Sequence, residues 1–169
     1  MQTEFVSEDG SSPRKSRLAV AALVVMRLVL ACWLGAAFLF IWTSVAEQVF
    51  PDFNSTIRDQ LATIRFPFYY ITGTSCCTLA LASGVLCRSL SRRLTVALML
   101  ITLASVIFAC DYWFVYRPLQ ELIIPAGQLR TEQFADLHTW SRNMNVFHLL
   151  LVLLSAIQAL LPLPQTTSR

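Results

Sequence analysis

The chain has 169 residues, of which 56% are hydrophobic and only 14% charged, and its mean hydropathy is +0.59. A soluble domain of this length carries roughly 25% charged and about 45–50% apolar residues, so the surplus apolar surface must face something other than water. A net charge of +3, from scattered arginines and the single Lys15, is too small for a nucleic-acid binder.

In chain order, residues 1–17 read as a disordered cytoplasmic tail, because the first thirteen are rich in Ser, Glu and Gly and have no apolar period. Four apolar blocks follow, at Leu18–Ala46, Phe68–Cys87, Leu94–Tyr116 and about Val146–Leu163. A helix needs roughly 18–20 apolar residues to cross about 30 Å of hydrocarbon, and each block approaches or exceeds that. They are apolar nearly all round, without the polar stripe of a soluble bundle. The expected fold is therefore an all-α membrane protein: a four-helix transmembrane domain over 18–163, with spans of about 28–46, 68–87, 94–116 and 143–163. A short tail, 164–169, follows.

Arg27 interrupts the first block and marks its cytoplasmic boundary, with Leu18 to Met26 continuing as helix at or above the headgroups. The small residues Ser44-Val45-Ala46 resemble a signal cleavage site, but the apolar run is much longer than a signal sequence uses. In the first loop, Ile57, Leu61 and Ile64 repeat at helical spacing with Arg58, Asp59 and Gln60 opposite. Thr56 and Asp59 fit a capping box. A short amphipathic helix on the outer surface, ending before Pro67, is the expectation. Asn54-Ser55-Thr56 matches a glycosylation sequon.

The second span carries Cys76, Ala80 and Gly84 at steps of four, with Gly73 and Cys77 on an adjacent ridge. Small residues at that spacing let helix backbones approach, and Ser105 and Ala109 do the same on the third span. Cys32, Cys76, Cys77, Cys87 and Cys110 all lie in apolar spans with no C-x-x-C, so they read as small hydrophobes. Pro118 and Pro125-Ala126-Gly127 break the third loop, and a helical pattern restarts near Thr131 and continues into the last span.

Dense basic clusters (Arg14, Lys15, Arg17 and Arg88, Arg92, Arg93) flank the ends that belong in the cytoplasm, which puts both termini and the second loop inside. For a bacterial chain this is the cytoplasmic membrane. Trp42, Tyr69, Tyr70, Tyr112, Trp113, Tyr116 and Trp140 then form an aromatic belt at the outer interface, with Trp33 deeper.

Polar residues inside the apolar blocks are the functional clue. His138, Ser141, Asn145 and His148 follow steps of three, four and three and line one face of the last helix. Asp111 lies at a depth in the third span matching His148 in the fourth, so an acid–imidazole pair is expected, with Glu47, Tyr69 and Tyr70 at the same outer mouth. Two readings compete: hydrogen-bonding glue between helices, or a haem or copper site with His138, His148 or Asp111 as ligands.

Trp33-Leu34-Gly35, Phe66-Pro67-Phe68-Tyr69-Tyr70, Arg117-Pro118 and the H-x-x-S-x-x-x-N set His138, Ser141, Asn145 together resemble the transmembrane-protein-205-like family, domain of unknown function 4149. The likeness runs from Arg27 to about Leu161, and the family's glycine after the histidine is Thr139 here. It implies a small four-helix membrane protein of unestablished activity, similar in architecture to copper-resistance D-type proteins and to the haem-holding membrane protoporphyrinogen oxidase. Three functions follow as candidates: a non-enzymatic membrane component, a haem- or copper-binding membrane protein, or a small exporter working as a homo-oligomer. The lipid bilayer is the expected partner. No phosphate loop, nucleophile motif or carboxylate pair points to a hydrolase or an ATP-driven pump.

Overall fold

A computed structural model describes residues 13–163. Four helices in it are long and apolar enough to cross a membrane. The first, α1, is Pro13–Val49. The second, α2, is Ser55–Cys87. A 3₁₀ turn at Arg88–Leu90 leads to α3, Arg92–Cys110, which runs on through a π-helical turn at Asp111–Tyr116 into α4, Arg117–Glu121. The last helix, α5, is Glu132–Leu160. No strand occurs among the described residues.

The four long elements form an antiparallel square. The most extensive packing is α1 on α2 and α3 on α5, closed by α2 on α3 and α1 on α5. One end of the bundle carries the 88–90 turn and the start of α1 and finish of α5; we call it the terminal end. The loop end carries the residues between α1 and α2 and between α4 and α5.

Several expectations change. Helix α1 already includes residues 13–17, which the sequence assigned to a disordered tail; the remainder of that tail and residues 164–169 lie outside the described residues. Leu18–Met26 does continue as helix, and it packs within the bundle: Ala19, Ala22, Leu23 and Met26 are buried, and Met26 Sδ lies 3.9 Å from Cys87 Sγ. The separate amphipathic helix is absent: its residues are the first turns of α2, which passes through Pro67 without a break. Asn54, not a Thr56–Asp59 box, caps that helix by accepting from the Ile57 N–H at 3.0 Å. The anticipated faces hold only in part: Ile57 and Leu61 are half-buried and Gln60 exposed, but Asp59 is buried and Ile64 exposed. Pro118 does not end the third span either. It sits in the first turn of α4, where a proline's missing N–H costs least.

Small residues do build the helix contacts, on slightly different ridges. On α2 the buried small residues include Gly73, Cys77, Ala80, Gly84 and Cys87, at alternating steps of four and three, with Ser83 beside them, while Cys76 lies at the edge. On α3 the buried set is Leu94, Ala97, Ile101, Ala104 and Phe108; Ser105 is half-buried and Ala109 exposed. A Cβ on Gly73 would come within 2.6 Å of the Trp33 ring and 2.5 Å of the Phe108 ring, so the missing side chain is what admits both aromatics. The anticipated aromatic belt splits in two. Trp42, Trp113 and Trp140 point outward, whereas Tyr69, Tyr70 and Tyr116 are buried.

Candidate functional site: a buried Tyr–Asp–Asn cluster

The molecule is apolar outside and polar at selected points inside. Leu39, Trp42, Phe68, Met99 and Phe114 are exposed, while Asp111, His148, Ser141 and Ser155 are buried. Polar groups removed from water, or from anything that could replace it, need hydrogen-bond partners. Nearly all of these find them on a neighbouring helix.

Asp111 opens the π-helical turn. Its Oδ2 accepts from the Tyr70 hydroxyl of α2 and from Asn145 Nδ2 of α5, both at 2.6 Å. Asn145 Oδ1 in turn accepts from the Tyr69 hydroxyl at 2.8 Å. Asn145 Nδ2 also reaches the Ser141 carbonyl one turn back at 2.9 Å. Three helices therefore meet on one carboxylate. The π-helical turn matters here. In an α-helix a residue five positions on swings well away from the first, but bonding to the fifth residue widens the turn. The Arg117 N–H accordingly donates to the Tyr112 carbonyl, and Asp111, Val115 and Tyr116 are all buried together. The Tyr116 ring packs against Tyr70 at 4.5 Å between centroids.

One turn deeper, Trp33 Nε1 donates to His148 Nε2 at 2.9 Å, and His148 Nδ1 lies 2.9 Å from the Ala104 carbonyl. Since Trp33 can only donate, Nε2 must accept; Nδ1 then carries the proton and donates to Ala104. His148 is a neutral, fully paired imidazole stacked on Phe108. The expected Asp111–His148 pair does not form, because the two groups are satisfied by different partners at different levels. His138 is not brought into the cluster: it is exposed and stacked on Phe134. Of the family-like set on α5, Ser141 and Asn145 join the cluster and His138 does not. Phe66, from the set at the second span, stacks on Tyr116.

Two polar ties were not foreseen. At the loop end, buried Asp59 accepts from the Gly127 N–H at 2.8 Å and from Arg130, which clamps the segment between α4 and α5 onto α2. Gly127 has φ +88°, and a Cβ there would meet Thr56 Oγ1 at 2.5 Å, so glycine is required on both counts. At the terminal end, Arg27 Nε donates to the Ala159 carbonyl at 2.7 Å, putting a guanidinium on the negative end of α5. Sequence spacing marked Arg27 as a boundary but could not show what it binds. Nothing local distinguishes Asp59 from the solvated acids around it.

No group of three or more His, Cys, Asp or Glu side chains converges as a metal site among the described residues. A ligand role for His148 Nε2 would require breaking its bond from Trp33, the one that occupies the free ring-nitrogen lone pair. Comparisons with known protein families, curated proteins and solved structures find no match.

Proposed function

We propose that the chain is a multi-pass integral membrane protein, non-enzymatic, with both termini on the cytoplasmic side and the Tyr–Asp–Asn cluster in the outer half of its bundle. The observation that carries this reading is the inverted distribution of polarity, large apolar side chains outward and paired polar ones inward. Charge spacing supports it. Arg27 to Glu47 on α1 is twenty residues, which is about 30 Å of helix and matches the hydrocarbon thickness. Arg65 to Arg88 on α2 and Arg93 to Arg117 on α3 and α4 bracket similar lengths.

The two ends also differ in how their cations are used. At the loop end Arg65 pairs with Glu47 at 2.6 Å and Arg130 pairs with Asp59. At the terminal end Lys15, Arg17, Arg88, Arg92 and Arg93 are all exposed. A dense set of exposed cations without an acidic partner among the described residues favours that end as the cytoplasmic side. Membership of the transmembrane-protein-205-like family belongs to the same reading, supported by Tyr69, Ser141 and Asn145, motif residues that meet in one cluster.

The polar stripe is read as interhelical glue because Asn145 and His148 each spend their hydrogen-bonding groups on other helices. The test is to express the full chain in haem- and copper-replete cells. It should resist alkaline extraction from membranes and purify colourless and metal-free, and replacing His148 should lower thermal stability rather than abolish a spectrum. A Soret band or bound copper lost with His148→Ala would replace this reading with the metalloprotein one. A small exporter is the second reading, favoured by one observation: a buried carboxylate held inside the apolar zone, toward its loop end.

A further inference from the structure

Asp111 is the one carboxylate between the charged levels that bracket the apolar helices. Its side chain is 1% exposed. Counting seven residues from Phe40, which packs on Tyr69, to Glu47 places the cluster about 10 Å inside the loop-end ion pairs. Both available donors, Tyr70 and Asn145, converge on Oδ2. Oδ1 is buried and has no hydrogen-bond partner among the described residues, and neither has the buried hydroxyl of Tyr116.

An ionised carboxylate with one bare oxygen in such surroundings is among the least favourable arrangements a protein can hold. The groups facing Asp111 supply no positive charge to offset it. Helix α2 contributes Tyr69 and Tyr70, the π-helical turn contributes Tyr112 and Tyr116, and α5 contributes Ser141 and Asn145. His148, a turn further along α5, has both ring nitrogens committed elsewhere. Of the loop-end arginines, Arg65 pairs with Glu47, Arg130 with Asp59, and Arg117 lies over the Trp113 ring at 5.0 Å. Arg58 and the exposed Arg142 have no ion pair among the described residues, and neither hydrogen-bonds Asp111. The two free oxygens, Asp111 Oδ1 and Tyr116 Oη, are too few to strip the water from a metal cation, which takes about six oxygen ligands. A proton needs only one.

We propose that Asp111 is a proton-binding site: in the closed bundle described here Oδ1 carries a proton, and Oδ2 remains the acceptor for Tyr70 and Asn145. Uptake converts the carboxylate and one proton to the neutral acid, with no other bond made or broken. Release leaves a charge that this cluster can hold only by admitting water or drawing α3 away from α2 and α5. Asp111 thereby couples one proton per chain to the opening of the loop-end half, the element that a proton-linked carrier requires. The proposal rests on the membrane reading above.

The test uses the full chain in liposomes, with infrared spectroscopy of the carboxyl groups at neutral pH. A protonated-carboxyl carbonyl band should be present, vanish in Asp111→Asn, persist in Asp136→Asn (an exposed acid of α5) and shift in Tyr70→Phe, which removes one bond to the same group. Asp111→Asn mimics the neutral acid without the proton that wild type must take up on folding, so it should melt at or above the wild-type temperature at neutral pH. It should also escape the loss of stability that wild type suffers as pH rises and Asp111 ionises. Absence of the band, a band indifferent to both Asp111→Asn and Tyr70→Phe, or a folded Asp111→Asn variant that loses stability with rising pH as the wild type does, would overturn the proposal. If Asp111→Asn does not fold, the Tyr70→Phe shift in otherwise native protein decides. Membrane extraction is read separately, so loss of the proton site leaves the membrane reading standing.

Discussion

At the terminal end, apart from Arg27 on the Ala159 carbonyl, the helices meet through small or flexible side chains. Gly84 faces Met26 and Leu98, Cys87 touches Met26, and Ser155 donates to the Ala97 carbonyl at 2.9 Å. Toward the loop end the same four helices are joined by long polar and aromatic side chains: Trp33 to His148, Tyr69 and Tyr70 to Asn145 and Asp111, Asp59 to Arg130. The first kind of contact depends on close backbones and tolerates small changes of shape. The second is directional, and removing one member leaves another buried and unpaired. One half is therefore built for packing and the other for specific, breakable bonds.

His148→Ala should break this contrast most severely, since it orphans Trp33 Nε1 and the Ala104 carbonyl and leaves a cavity beside Phe108. A loss of about 3–4 kcal/mol is expected, seen as a much lower melting temperature in detergent. Gly73→Val comes next. Its added atoms would collide with Trp33 and Phe108, at a cost of about 2–3 kcal/mol by the same measurement. Asp59→Asn removes the ion pair but keeps an acceptor for Gly127, so about 1–2 kcal/mol is expected. In that variant, faster hydrogen exchange should be confined to the residues between α4 and α5. Gly84→Ala sharpens the comparison from the other side. A Cβ there meets Leu98 Cδ1 at 3.0 Å, the end of a flexible chain, so the change should stay below about 1 kcal/mol. If Gly84→Ala proved as damaging as His148→Ala, the two halves would not differ as described.

How much of this was legible beforehand varies by residue. The four helical blocks and the shared face of Ser141, Asn145 and His148 follow from hydropathy and helical period. Depth along a helix was legible only to about a turn: Asp111 and His148 looked level, but His148 lies one turn deeper with its own partners. Rotation about the helix axis was not legible. The π-helical turn changes the angular position of every residue beyond Asp111, so Tyr116 faces inward while Trp113 faces out. For the same reason tyrosines and tryptophans that resembled one aromatic belt belong to opposite surfaces.

The sequence by itself determined that this chain forms apolar helices of membrane-spanning length, because hydrophobicity over twenty residues is a local, additive property. Only the tertiary structure decided that Asp59 is a buried clamp, that Arg27 ends on the Ala159 carbonyl, that His148 answers to Trp33, and that Asp111 keeps one oxygen free. Each of those is a hydrogen bond between residues far apart in the chain, and such a bond depends on helix rotation and register that no local pattern encodes.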